Sequence, residues 1–264
     1  MEKSYVVINI ASAFGVGASS RGRASRGPNQ GGRAWRPCPC SNFFAPGPAA
    51  RYDHAAVAVG DSTLVVVGGR NPTGTSFKDM WALDISTKTW ISVGELSTPL
   101  YGLAAASVGS DIYVLGGYNK EDGFLTSLHK CSATGSGILL TYTCVDITLG
   151  CQDTTGAATL VNVGYTPRYQ HSMFTYKTDI FVYGGVRDDE SAVSGDVKLY
   201  KLDTATCSWS VANSDLCRHV KPDTSSSDCV LYEGVAGPTS HGMFIHGGFN
   251  SNGLTDQHTY VYPL

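Results

Sequence analysis

The chain has 264 residues, a formal charge of −3, 31 glycines, 14 tyrosines and only 16% charged residues. That composition is poor in helix formers and rich in strand and turn material, which favours an all-β chain with length enough for a sizeable core. The longest apolar runs, such as Leu64 to Val67, are far too short to cross a bilayer as a helix, so no membrane insertion is expected.

Residues 1–47 read as a low-complexity, disordered leader. Lys3, Arg21, Arg23, Arg26, Arg33 and Arg36 stand in the first 36 residues against Glu2 alone. Within the leader, "SSRGRASRGPNQGGRAWRPCPC" has almost no β-branched residues and cannot bury enough surface to offset the entropy of ordering. An RNA-binding arginine–glycine tail would interleave aromatics, which are nearly absent here, so no nucleic-acid partner is expected. "YVVINIASAFGVGA" is moderately apolar after Lys3, and "ASA" at 11–13 resembles a secretory cleavage site, but Asn9 interrupts the run.

From Pro48 onward one pattern recurs. A short apolar run ends on paired glycines as "LVVVGG" (Gly68, Gly69), "IYVLGG" (Gly116, Gly117), "IFVYGG" (Gly184, Gly185) and "MFIHGG" (Gly247, Gly248). The first three are preceded by a turn signal and, before it, a segment of small and apolar residues such as "HAAVAV", which makes a hairpin into a buried strand. Continuous apolar runs suit strands covered on both faces. Downstream, "DMWALDISTKTWISV" and "KLYKLDTATCSWSV" each read as two strands around a tight turn, with Trp81 matching Tyr200, Asp84 matching Asp203 and Trp90 matching Trp209. Tyr260 follows Gly248 by the same twelve residues that separate Trp81 from Gly69.

These units resemble kelch repeats, the four-stranded blades of a β-propeller. The resemblance rests on the diglycine after an apolar strand, the later Trp or Tyr, and the Trp opening the last strand. "RYDH" at 51–54 and "RYQH" at 168–171 look like the lead-in to the first kelch strand. It implies an all-β, kelch-type propeller of about four blades of four-stranded antiparallel sheet: about 48–98, 99–164, 165–216 and 217–264. The glycines let the backbone turn and let neighbouring sheets approach, while the aromatics fill the widening space between blades.

The pattern also departs from the family. His129 stands twelve residues after Gly117, where an aromatic is expected, so "HKCSATGSGILLTYTCVDI" must supply the outer hairpin of the second blade. The fourth unit stops at "TYVYPL", before any partner for Asp84 or Trp90, so the propeller reads as incomplete or truncated. Exposed strand edges would favour self-association. "SYVVINI" at 4–10 is the segment available to add the missing strand.

Eight cysteines exceed the needs of a cytosolic β protein of this size and lean towards an oxidising, extracellular location. Cys38 and Cys40 form C-x-C and no zinc spacing appears, so no metal is expected. Cys131 and Cys144 fall on the two outer strands of the second blade. Bridges are expected among the cysteines from Cys131 to Cys229, including Cys151, Cys207 and Cys217. His54, His171 and His241 recur near blade starts, where a repeated structural role outweighs a metal site. There is no P-loop, G-x-S-x-G or HExxH, and Asp188, Asp189 and Glu190 read as a solvated turn. No catalytic residue and no cofactor are assigned.

What varies is the loop after each glycine pair. These loops share one face and display Arg70, Asn71, Tyr118, Lys120, Arg187 and Phe249 on a rigid scaffold. The expectation is a non-enzymatic interaction module or scaffold that binds a protein partner through this face. The alternative is a galactose oxidase-like or carbohydrate-binding extracellular propeller, although nothing marks the tyrosine–cysteine arrangement of that enzyme.

Overall fold

A computed structural model describes residues 47–148, 160–186, 198–214, 234–240, 242–248 and 259–263, with backbone only at 259 and 260. The expectations for the leader before residue 47, including "SYVVINI", lie outside these residues. So do those for Cys38, Cys40, Cys151, Cys217, Cys229, Arg187, Phe249, His241 and the acids at 188–190.

Among the described residues, seventeen strands build four antiparallel meanders and one small hairpin. Blade 1 is β1 (Ala55–Val59), β2 (Thr63–Val67), β3 (Asp79–Asp84) and β4 (Thr89–Glu95). Blade 2 is β5 (Ala104–Val108) and β6 (Asp111–Leu115), then the hairpin β7 (Tyr118–Asn119) and β8 (Gly123–Phe124), then β9 (Leu128–Thr134) and β10 (Thr141–Asp146). Blade 3 is β11 (Ser172–Tyr176), β12 (Asp179–Tyr183), β13 (Leu199–Asp203) and β14 (Ser208–Asn213). Blade 4 has β15 (Val235–Thr239), β16 (Gly242–His246) and β17 (Thr259–Tyr262) among the described residues. The first strands β1, β5, β11 and β15 lie side by side around the axis, in the arrangement of a propeller. Among the described residues the only helical element is a 3-10 turn at Gly137–Leu139.

In blades 2 and 3 the apolar runs before the glycine pairs are buried on both faces, because each of these blades lies between two others. In β6, Ile112 and Val114 join a core with Val65, Val67 and Met80 of blade 1. Tyr113 and Leu115 alternate with them and pack against Met173, Ile180 and Tyr200 of blade 3. In β12, Ile180 and Val182 face blade 2, while Phe181 and Tyr183 face Ala236, Met243 and Ile245 of blade 4. One strand thus serves two seams, which its period of two and lack of polar residues permit.

The aromatic position is also a register position. Trp81 lies opposite Val66, His129 opposite Val114, Tyr200 opposite Val182 and Tyr260 opposite Ile245, in each case the residue three before the second glycine. Tyr200 and Trp209 are buried in the seam between blades 2 and 3. Trp81 lies on the face of blade 1 turned away from blade 2 and is half-buried, donating its indole N–H to Asp79 at 2.6 Å. Trp90, also half-buried, packs close over Gly47. His129 is buried and reaches Ser97 of blade 1 at 3.4 Å.

The outer turns repeat equally closely. Asp84 accepts the amides of Ser86 and Thr87, and Asp203 accepts those of Ala205 and Thr206. Four residues after each aspartate, Lys88 and Cys207 take left-handed φ of 59° and 53°. These bonds hold both carboxyls below the usual carboxylate range, the first through the Ser86 hydroxyl above all and the second through the Thr206 amide.

Blade 2 carries a disulfide between Cys131 and Cys144, directly opposite each other on β9 and β10. Cys131 is fully buried, and the Cys144 Sγ lies 3.4 Å from the Met80 Sδ of blade 1. The bridge therefore sits on the seam itself rather than at the rim. Cys207 is also disulfide-bonded.

Candidate partner-binding face

In blades 1 to 3 the second glycine of the pair brings two chain segments together at one end of the blade. Gly69 has φ +94°, and a Cβ there would stand 2.9 Å from the Tyr52 carbonyl oxygen and 2.8 Å from the His54 Cβ. The absence of a side chain lets the following residue, Arg70, exchange both backbone hydrogen bonds with Tyr52 at 2.9 Å. The same exchange joins Tyr118 to Tyr101 and Val186 to Tyr169. Each tyrosine stands three residues before its inner strand, so three tyrosines are delivered to equivalent positions on one face.

Between the tyrosine and the strand lies a residue in left-handed conformation: Asp53 (φ 54°), Gly102 (φ 64°) and Gln170 (φ 57°). The Gly102 amide donates to the Asp53 carbonyl at 2.7 Å, and the Gln170 amide donates to the Gly102 carbonyl at 2.8 Å. An arc of backbone bonds thus runs from blade 1 to blade 3 and fixes the spacing of the tyrosines. A Cβ on Gly102 would come within 2.8 Å of the Tyr169 ring, so this glycine makes room for the aromatic of the next blade.

The side chains above this arc form one continuous band. The Arg70 guanidinium lies 4.8 Å from the Tyr52 ring centroid and 4.0 Å from that of Tyr101. From Tyr101 the contacts pass to Tyr118 at 5.1 Å, to Phe124 of the β7–β8 hairpin at 5.0 Å and to Tyr169 at 5.2 Å. Arg70 is oriented by Asp53, which accepts from its Nε at 2.9 Å and its second guanidinium nitrogen at 2.8 Å. Tyr52 is 40% exposed and the other four rings are partly exposed. Burial pushes the Tyr101 phenol up, so it remains a neutral donor at physiological pH.

Beneath the band an arginine anchors the starts of blades 1 and 3. Arg51 makes a two-pronged pair with Asp79 at 2.6 and 2.9 Å and donates to the Gly68 carbonyl at 2.9 Å. Burial raises the Asp79 pKa, but the bonds from Arg51 and Trp81 outweigh it and hold the carboxyl below its ordinary value. Arg168, at the same place in blade 3, is fully buried, donates to the Gly184 carbonyl at 3.1 Å and lies 4.1 Å from the Tyr165 ring centroid.

Of the residues expected to face a partner, Arg70 and Tyr118 lie in the band, and Lys120 is exposed beside it on the β7–β8 hairpin. Asn71 is occupied within its own loop, its side-chain oxygen accepting the amides of Thr73 and Thr75. Tyr52, Asp53, Tyr101, Phe124 and Tyr169 were not singled out from the sequence. The repeated Tyr of "RYDH" and "RYQH" was their visible signal, but only the fold shows it facing outward. Among the described residues no group of three or more His, Cys, Asp or Glu is placed to hold a metal ion, and no helix is long and apolar enough to cross a membrane.

Residues 31–138 match the family model described as the KLHDC2/KLHL20/DRC7 Kelch-repeats domain. Kelch domain-containing protein 3 of Homo sapiens is 25% identical over 223 residues, which cover 77% of this chain and 49% of that protein. The tRNA wybutosine-synthesizing protein 2/3/4 of Arabidopsis thaliana is 44% identical over 86 residues, covering 31% of this chain and 8% of that protein. The chain therefore spans about half the length of the first relative and under a tenth of the second. The solved structure of YjhT superposes with a TM-score of 0.59 at 13% identity, covering 84% of this chain and 68% of that one, a likeness of fold.

Proposed function

Because the chain is a kelch-repeat protein whose blades take up a propeller arrangement, we propose that it works as a non-enzymatic interaction module, gripping a protein partner with the face that carries the aromatic band. The observation that carries this reading is the unbroken run Tyr52–Arg70–Tyr101–Tyr118–Phe124–Tyr169 across three blades. Tyrosine and arginine are enriched at binding hot spots, tyrosine because it offers large amphipathic contact area with only two side-chain torsions and arginine because its planar fork donates several hydrogen bonds and stacks on rings. Here their rotamers are already held by neighbouring rings and by Asp53, so little order remains to be imposed on binding.

Arg70, Tyr118 and Lys120 act together as contacts; Arg187 and Phe249, also expected on this face, lie outside the described residues. The 44% likeness to the wybutosine-synthesizing protein concerns 8% of that protein, so it supports a shared repeat rather than a shared reaction. The Cys131–Cys144 bridge favours maturation in an oxidising compartment.

Affinity capture from extract of the source tissue tests the reading. A partner held by the wild-type chain is expected to be lost from an Arg70→Ala, Tyr118→Ala double variant with unchanged circular dichroism. Equal capture by both would remove the band from the function. Stoichiometric copper in purified protein would turn the assignment to an oxidase.

A further inference from the structure

The backbone along the aromatic band is already spent. The amides of Tyr52, Arg70, Tyr101, Tyr118 and Tyr169 all donate within the paired segments, so a partner that adds a strand finds no open backbone at these residues. Recognition therefore falls to side chains. The Asp53 carboxylate is engaged by Arg70, and that of Asp122, in the β7–β8 turn, by the Asn119 amide. What remains to a ligand is ring surface and donors, among them the Tyr101 phenol, which burial keeps protonated, and the Arg70 guanidinium.

The rings also set a spacing. Successive planes are inclined by 42°, 75° and 48°, so the surface is ridged, with slots between neighbouring rings. Two ring-to-ring steps, 5.1 and 5.0 Å from Tyr101 to Phe124 or 5.0 and 5.2 Å from Tyr118 to Tyr169, carry the band about 10 Å at most. A polyproline II helix rises about 3.1 Å per residue and repeats every three residues, about 9.3 Å. An α-helix, whose turn of about 5.4 Å approaches a single ring step, spends its carbonyls internally and would leave the donors of the band unanswered.

We propose that the partner segment received by this band is a proline-rich stretch in the polyproline II conformation, its pyrrolidine rings seated between neighbouring aromatic rings and its carbonyls accepting from the Tyr101 hydroxyl and the Arg70 guanidinium. Such a segment offers apolar rings and unpaired carbonyl acceptors, and its prolines have no N–H, which is the complement of this face. It is also extended before it binds, so little entropy is lost on docking. The inference rests on the reading of this face as a protein-binding surface.

It is tested by titrating a fluorescein-labelled decaproline peptide into the full chain, read by fluorescence anisotropy, beside a glycine–serine decamer and a glutamate-rich decamer with the same label. Decaproline is expected to bind at least about tenfold more tightly than either control, and to weaken by about tenfold or more in Tyr118→Ala and about fivefold in Tyr101→Phe, which removes one hydrogen bond. Equal binding of the three peptides, preference for the glutamate-rich one, or undiminished binding by a Tyr118→Ala chain with unchanged circular dichroism overturns it. Should that variant not fold, Tyr52→Ala, at the exposed end of the band, takes its place with the same expectation. A protein captured from extract through the band that excess decaproline does not displace overturns this class of ligand alone, whereas equal capture by the Arg70→Ala, Tyr118→Ala variant removes the face itself.

Discussion

The Gly69 amide donates to the Leu100 carbonyl at 2.8 Å across the seam between blades 1 and 2, and the Gly117 amide repeats the bond to Arg168 at 3.1 Å across the next. The glycine pair is therefore a joint between blades as well as a turn within one.

Substituting the first glycine tests the joint. Gly68 has φ +61°, and a Cβ would stand 2.6 Å from the Leu100 carbonyl oxygen, a backbone atom that cannot swing aside. Gly68→Ala is expected to cost about 2–4 kcal/mol in urea denaturation. Gly60 has nearly the same φ, +62°, with nothing within 4 Å of its Cβ position, so Gly60→Ala is expected to cost about 1 kcal/mol. Similar losses for the two would mean that conformation alone explains the pair.

Asp53 combines a left-handed backbone with the anchoring of Arg70. Asn tolerates that backbone and keeps an acceptor, so Asp53→Asn is expected to cost only about 1 kcal/mol. Asp53→Val loses both and is expected to cost about twice as much or more. Thermal melts of the two variants side by side distinguish backbone from charge, and Asn falling as far as Val would place the whole effect on the ion pair.

Removing the blade 2 bridge in a Cys131→Ala, Cys144→Ala double variant is expected to lower stability by roughly 3 kcal/mol, given a sequence separation of 13. The loss should fall on the seam with blade 1, where Met80 touches Cys144. Hydrogen exchange should quicken in β3 and β10 before it does in blade 3, and uniform quickening would count against a local clasp.

Acid should weaken the fold through its buried histidines. The folded-state pKa of His171 is about 3 against 6.5 for the free imidazole. Between those values the unfolded chain takes up the proton and the folded chain does not. The contribution of His171 is complete above pH 6.5 and is lost as pH falls towards 3. At pH 5 the loss amounts to about 2 kcal/mol relative to pH 8, and His54 and His129, also lowered by burial, add to it with the same sign. Denaturation at the two pH values measures the difference, and a His171 ring resonance that titrates near 6.5 would refute the cause.

Much of the architecture was legible in the sequence, because its signals are local. An apolar run between a turn and a glycine pair has one sterically reasonable reading, and the spacing from Gly69 to Trp81 already contains the register that places Trp81 opposite Val66. The outer hairpin at Asp84 and its copy at Asp203 follow from short-range hydrogen bonds that the residues carry wherever they stand. The aromatic band was half legible: Arg70 and Tyr118 stand out in the sequence as variable loop residues, whereas the neighbouring Asn71 turns its side chain into its own loop. Only the tertiary structure decided that Tyr52, Tyr101 and Tyr169, 49 and 68 residues apart in the chain, meet in one band. Those relationships arise from the rotation of one blade onto the next, which is set by packing and hydrogen bonds across the seams, and no local pattern encodes that rotation.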